Sequence, residues 1–147
     1  MIRPSDWFPA DVLTHRQTIV WDRQTTHNHD KSYVYPTVEF IYWLTKSHAE
    51  RSKVYFKNEG KGQVWSIPKE TMKNKHPAPF PLELARLVIR MFSPPNGLVL
   101  DPFSGSGTTA LAAVMEGRQY IGIEKRSEFV DMSKDRIKQY LKESGET

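Results

Sequence analysis

The spacing of apolar residues changes near residue 76 and divides the chain into two parts. In the first part, β-branched and aromatic runs at 18–21 and 38–44 predict two strands, and 53–56 predicts a third, short one. The polar segment between the first two runs, 22–36, is typical of a surface loop. In the second part, helical and strand patterns alternate, which predicts right-handed crossovers and a parallel α/β sheet.

In the second part, the spacing of apolar residues predicts three helices and two strands. Pro81 suits the first position of a helix whose apolar residues recur at three-to-four spacing as far as Phe92. Residues 93–97, Ser-Pro-Pro-Asn-Gly, are interpreted as a helix stop and a turn. The predicted elements are a helix at 82–92, a strand at 98–100, a helix at 108–116 closed by Gly117, a strand at 120–123 and a helix at 127–141.

Length and composition limit the chain to one modest core. The 147 residues are 38% hydrophobic, which favours a single domain over 1–147, with strands and a basic region at 18–75 and a ligand-binding region at 76–147. The absence of cysteine excludes disulfides and cysteine–zinc sites. No apolar run approaches the roughly 18 residues of a membrane span, and no secretory signal pattern occurs, so a cytoplasmic protein is expected.

Positive charge is concentrated in residues 46–75. This stretch has eight Lys and Arg against three Asp and Glu, a net of +5, while the whole chain has +4, so the remainder sums to −1. Such a cluster is typical of contact with a nucleic-acid phosphate backbone, although a solvated lysine-rich surface explains it equally well. The candidate DNA-contacting residues are Lys53, Lys57, Lys61, Lys69, Lys73 and Lys75.

A glycine-rich segment follows the predicted strand at 98–100 and opens the next helix. Gly105 and Gly107 allow close approach of a ligand, and the first amide groups of the helix point toward it, so a nucleotide-like ligand is expected. With Ala110 and the acid Glu124, these glycines also satisfy the dinucleotide fingerprint, which keeps an NAD-type or flavin oxidoreductase open.

Asp101 and Glu124, at the tips of the two predicted strands, favour a cationic ligand. A carboxylate about 4 Å from a phosphate would repel it by several kcal/mol at an effective dielectric constant of about 20. S-adenosylmethionine (SAM) has no phosphate and carries a sulfonium and an ammonium group, and Glu124 suits its ribose hydroxyls. The alternatives are a loop-bracing or helix-capping role for Asp101, and a surface ion pair of Glu124 with Lys125 or Arg126.

These segments resemble the amino-group DNA methyltransferases, which methylate adenine at N6 or cytosine at N4. Residues 101–109, Asp-Pro-Phe-Ser-Gly-Ser-Gly-Thr-Thr, are similar to their motif I, 120–124, Tyr-Ile-Gly-Ile-Glu, to motif II, and 76–81, His-Pro-Ala-Pro-Phe-Pro, to motif X. The order X, I, II belongs to the class whose cofactor half follows its catalytic half.

The resemblance implies a partial Rossmann-like, three-layer α/β/α fold, SAM as cofactor and double-stranded DNA as partner, within a restriction–modification system. The residues that it assigns to the cofactor are Phe80, Pro81, Asp101, Phe103, Ser104, Gly105, Gly107, Thr108 and Glu124.

The family's catalytic motif, Asp-Pro-Pro-Tyr or its Ser and Asn variants, does not occur in these 147 residues. A flipped base requires such a pocket, so no catalytic residue is assigned and the isolated chain is expected to be inactive. Either a second polypeptide supplies the motif, or the chain is a noncatalytic nucleic-acid-binding or regulatory remnant. Both interpretations predict an unpaired sheet edge that favours partner capture or homodimerisation.

Two further patterns are weaker. Residues 27–30, His-Asn-His-Asp, contain metal-binding residue types but no third ligand at a useful spacing, which favours a polar loop over a metal site. Trp65, within the basic stretch, is interpreted as a core residue rather than a DNA contact.

Overall fold

The computed structural model describes residues 12–24, 37–46, 55, 62–69 and 80–145. The chain divides into two compact units, of which the first comprises 1–54 and 58–69 and the second 55–57 and 70–147. The organisation expected from the sequence, one domain over 1–147, stays a prediction.

The described residues of the first unit form a three-stranded sheet in the order β2-β1-β3. Its strands are β1 (Thr14–Asp22), β2 (Val38–Thr45) and β3 (Val64–Ser66). β1 is antiparallel to β2 and parallel to β3. The two predicted strands at 18–21 and 38–44 are confirmed, whereas β3 was not predicted. Of the predicted strand at 53–56 only Tyr55 is described, and it lies in a bend rather than in a strand.

Two tryptophans form the centre of this sheet. Trp21 on β1 is the register partner of Trp65 on β3. The Trp21 indole N–H donates to the Ile67 carbonyl at 2.8 Å, and the Trp65 indole N–H donates to the Gly62 carbonyl at 3.0 Å. Because Trp65 is only 1% exposed, its interpretation as a core residue is confirmed.

The second unit alternates helices with parallel strands. Its elements are α1 (Leu82–Phe92), β4 (Leu98–Asp101), α2 (Thr108–Met115), β5 (Gln119–Gly122) and α3 (Ser127–Ser144). β4 and β5 pair in parallel, as predicted. The helix stop between α1 and β4 is also confirmed, since the Gly97 N–H donates to the Pro94 carbonyl at 2.9 Å and closes a turn.

Small residues let the helices of this unit pack closely. Ala112 and Ala113 of α2 are fully buried and form a core cluster with Ala85 and Ile89 of α1, against which Val99 of β4 packs. Side chains from α3 extend this core. Ile137 of α3 is buried with Ala110 and Leu111 of α2.

The opposite side of the β4–β5 pair is exposed and apolar. Since side chains alternate along a strand, the neighbours of Val99 point away from α1 and α2. We call this surface the apolar sheet face, and it consists of Leu98, Leu100, Ile121 and Ile123, which are 59%, 59%, 49% and 55% exposed. The alternation of helices and parallel strands confirms the α/β class. The described part of the second unit contributes the sheet and one helical layer of the expected three-layer arrangement.

None of the helices in the described ranges is both long and apolar enough to traverse a lipid bilayer.

Candidate functional site

Residues 102–107, which we call the glycine turn, connect β4 to α2 and are held against the end of β5. The Ser104 N–H donates to the Ile123 carbonyl, and the Gly107 N–H donates to the Ser104 carbonyl, both at 2.9 Å. Gly105 and Gly107 have φ of 50° and 80°. Side chains other than hydrogen are strained in this left-handed region, so the turn depends on glycine at both positions.

Asp101 ends β4 and braces the start of the turn. Its Oδ1 accepts a hydrogen bond from the Phe103 N–H at 3.0 Å. Among the described residues its Oδ2 has no hydrogen-bond partner and can accept one from a ligand. The bracing role that the sequence left open therefore accounts for one carboxylate oxygen and leaves the other for binding.

Glu124, two residues beyond β5, fixes the middle of the turn. Its Oε2 accepts the Gly105 N–H and its Oε1 accepts the Arg126 N–H, both at 2.9 Å. The Arg126 N–H, more than that of Gly105, holds the pKa of Glu124 below its ordinary value against the opposing effect of burial. Arg126 directs its guanidinium to Glu128 at 2.8 Å, and its charge contributes less to the lowered pKa of Glu124 than the backbone N–H groups do, so hydrogen bonds to the backbone rather than an ion pair with Arg126 account for most of the shift.

A pocket of about 140 Å³ opens between the glycine turn, β5 and α3. Three of the residues that line it were expected from the sequence, namely Ser104, Gly105 and Glu124. The others were missed, and they are Tyr120, Gly122, Val130, Ser133 and Lys134.

Two of the missed residues left a signal in the sequence. Ser133 is a small residue four positions before the buried Ile137, on the stripe of α3 that faces α2. Gly122 belongs to the quoted strand motif, and a Cβ there would lie 2.7 Å from the Ser104 Oγ. Both are small because the glycine turn approaches them closely.

The remaining cofactor candidates differ in how accessible they are. Phe103 is 88% exposed at the tip of the turn, and Phe80 is also exposed. Pro81, in contrast, is fully buried as the N-cap of α1, so its side chain cannot contact a ligand in this conformation. Thr108 and Gly107 are buried as well, which gives them a supporting rather than a contacting position.

Most of the basic stretch lies outside the described residues. Lys69 is described: it is half-buried, and its N–H donates to the Arg23 carbonyl at 3.3 Å. The other DNA-contact candidates lie outside the described residues, and they are Lys53, Lys57, Lys61, Lys73 and Lys75. Residues 76–79 of the motif X resemblance and the His-Asn-His-Asp segment at 27–30 also lie outside them.

Known methyltransferases resemble this chain in sequence. The type II methyltransferase M.Cfr9I of Citrobacter freundii is 34% identical over 133 residues, covering 83% of this chain and 44% of that protein. The DNA adenine methyltransferase YhdJ of Escherichia coli (strain K12) is 40% identical over 81 residues, covering 52% of this chain and 27% of that protein. The chain thus spans less than half the length of these curated relatives.

Solved structures share the fold. The crystal structure of the M1.HpyAVI–SAM complex matches with a TM-score of 0.73 and 30% identity, over 86% of this chain and 64% of that chain. The cytosine-N4-specific PvuII DNA methyltransferase matches with a TM-score of 0.70 and 26% identity, over 82% of this chain and 50% of that chain. The expected methyltransferase-like α/β fold is therefore confirmed.

The family assignment follows from the extent of the sequence match. The family model N6_N4_Mtase, described as DNA methylase, matches residues 11–135, which is most of the chain. This range includes the strand tips, the glycine turn and nearly all of the first unit. The chain therefore belongs to the N6/N4 DNA methylase family.

Proposed function

We propose that this chain is the SAM-binding and DNA-contacting portion of a DNA methyltransferase that modifies the exocyclic amine of adenine (N6) or cytosine (N4). The observation that carries the proposal is the pair of carboxylates, Asp101 and Glu124, near the ends of two paired parallel strands on either side of the glycine turn. The SAM complex of a solved relative supports the choice of ligand.

The chemistry of the two carboxylates fits SAM better than a dinucleotide. The Asp101 oxygen that accepts no hydrogen bond from any described residue would attract a cationic group and repel a diphosphate. Each oxygen of Glu124 accepts one backbone N–H, which leaves a second lone pair on each for the ribose hydroxyls. The exposed ring of Phe103 adds apolar surface on the turn itself, and the exposed Phe80 is the further aromatic candidate that the motif X resemblance supplies.

The role of this chain in methyl transfer is alignment. Methyl transfer to an exocyclic amine would require the methyl group of the bound cofactor and the amine nitrogen to be held in line. SAM supplies the electrophilic methyl group, while Asp101, Glu124 and the glycine turn hold and orient the cofactor. No residue of these 147 is assigned to the extruded base, because the Asp-Pro-Pro-Tyr motif is absent from them.

Double-stranded DNA is the proposed substrate. The net charge of +5 over residues 46–75 supports a contact with the phosphate backbone, and the relatives are named as DNA or type II methyltransferases. This function fits a cytoplasmic restriction–modification system.

Replacing Asp101 tests the cofactor proposal directly. By isothermal titration of SAM into the full chain, we expect Asp101→Ala to weaken binding about tenfold. Asp101→Asn, which keeps an acceptor for the Phe103 N–H but loses the charge, separates bracing from electrostatics and should also weaken binding. The exposed Asp131 on α3 provides the control, Asp131→Ala, with unchanged affinity.

Absence of heat with SAM, no effect of Asp101→Ala, or tighter binding of NAD than of SAM would contradict this proposal. The first two results would favour the alternative, a noncatalytic nucleic-acid-binding or regulatory module with the same fold. The third would favour an oxidoreductase.

We further propose that the apolar sheet face is covered in the active protein. The proposed occupant is a second polypeptide that carries the catalytic motif, or a second copy of this chain. Four exposed aliphatic side chains, two on β4, one on β5 and one directly after β5, support an interface, because an apolar patch of this kind is unfavourable in water.

Polar substitution on this face is expected to weaken association. By analytical ultracentrifugation, Leu100→Thr combined with Ile121→Thr should raise the dissociation constant of the chain's self-association, or of its complex with the catalytic polypeptide, at least about tenfold. Val64→Thr, which alters an equally exposed valine on β3 of the first unit, should not. A monodisperse wild-type monomer with full methylation activity would refute both occupants.

A further inference from the structure

The end of the glycine turn and the start of α2, residues 106–108, pack against α3 and are not among the residues that line the pocket. Ser106 and Thr108 are 3% and 6% exposed, so water cannot readily satisfy their polar atoms. Between them, Gly107 lies directly against Ser133 of α3, since a Cβ on Gly107 would come within 1.9 Å of the Ser133 Oγ. Three consecutive residues of the chain are thus held from the α3 side.

A single guanidinium supplies the polar part of this contact. Arg136, three residues after Ser133 on the same helix, donates from Nη1 to the Ser106 carbonyl at 2.9 Å. The same atom lies 3.4 Å from the Ser106 Oγ and 3.3 Å from the Thr108 Oγ1. Arg136 thereby bonds the last part of the turn to the first residue of α2. It is not among the described residues that line the pocket.

The two sides of the turn are mechanically connected. On the pocket side, Glu124 holds the Gly105 N–H, and on the α3 side, Arg136 holds the carbonyl of the adjacent Ser106. The two peptide units on either side of the Gly105–Ser106 pair, Ser104–Gly105 and Ser106–Gly107, are therefore each fixed by one hydrogen bond. Loss of either partner allows the turn to populate other conformations. A ligand that needs the original conformation then binds more weakly, in proportion to the lost population of that conformation.

We infer that Arg136 is a positioning residue for the cofactor: it does not contact SAM, but holds the glycine turn in the conformation that binds it. This inference rests on the proposed function, since SAM is the ligand considered. It predicts that affinity depends on a side chain of α3 outside the pocket.

Arg136→Met keeps the length of the side chain and removes its donors. In the full chain we expect the SAM dissociation constant to rise about tenfold, together with faster hydrogen–deuterium exchange in a peptide covering the glycine turn. Arg136→Lys retains one donor and should restore part of both. The control is Arg86→Met, because Arg86 donates to Glu116 at 2.6 Å between α1 and the end of α2, away from the turn.

A purely structural arginine would behave differently. The inference is overturned if Arg136→Met lowers the melting temperature but leaves the SAM affinity unchanged, or if Arg86→Met weakens binding to the same extent. If the wild-type chain itself does not bind SAM, the proposed function fails instead. Exchange at the turn then decides the role of Arg136, supporting it if Arg136→Met accelerates exchange there alone and overturning it if exchange is unchanged.

Discussion

Gly107→Ala is expected to abolish detectable SAM binding and to lower the free energy of unfolding by about 3 kcal/mol. Two costs combine at this position. The residue has φ of 80°, and an added Cβ would lie 2.5 Å from the Ser133 Cβ and 3.0 Å from the Ser133 Cα. The Cα belongs to the backbone of α3, so the turn or the helix has to move. Urea denaturation and SAM titration measure the two effects.

Gly117 provides a matched control for this substitution. It has φ of 68°, but a Cβ there would meet nothing within 4 Å. Gly117→Ala should therefore cost only the backbone strain, about 1 kcal/mol, and leave SAM affinity unchanged. Adding Ser133→Gly to Gly107→Ala removes the clashing Oγ and Cβ and should recover part of the stability. Equal effects of the two alanine substitutions would contradict the proposed close packing of α3 on the turn.

Glu124→Ala is expected to weaken SAM binding by about a hundredfold, because it removes the proposed ribose acceptor and also releases the Gly105 N–H. Glu124→Gln should fall between wild type and alanine. Its amide group has one oxygen, whereas Gly105 and Arg126 each offer an N–H, so one of these two hydrogen bonds is lost. Titration of SAM at neutral pH measures the order of the three proteins.

The ionisation of Glu124 gives this prediction a pH dependence. Because backbone N–H groups lower its pKa in the folded protein, its stabilising effect is present at neutral pH and is lost as the pH falls through the lowered pKa. The stability difference between wild type and Glu124→Gln should shrink over the same range.

Glu128 provides the control for the affinity measurement. Its pKa is lowered by its own backbone N–H and by Arg126, and Glu128→Gln should leave SAM affinity unchanged. An affinity of Glu124→Ala equal to that of wild type would contradict the role proposed for Glu124.

Local patterns were sufficient to predict the elements that carry the site. The boundaries of α1 follow from Pro81 and the turn after Phe92, and the glycine turn follows from a strand, an acid and two glycines in succession. Both are properties of a few adjacent residues. The positions of Asp101 and Glu124 also followed, because parallel strands bring their carboxyl ends to one edge.

Features that depend on distant residues were not predicted. β3 has only three residues and exists because Trp65 packs beside Trp21, which no local period reveals. Arg136 has the sequence environment of an ordinary exposed helix residue, and its role depends on the packing of α3 against a turn 30 residues earlier. Pro81 was assigned to the ligand from motif resemblance, but its burial is a property of the folded unit.

The hydrogen bonds that shape the glycine turn join residues far apart in synthesis. Gly105 depends on Glu124, 19 positions later, and Ser106 depends on Arg136, 30 positions later. A ribosome that has just completed the glycine motif has therefore not yet made the side chains that hold it in place. The nascent chain therefore cannot assemble this site cotranslationally until α3 has left the exit tunnel.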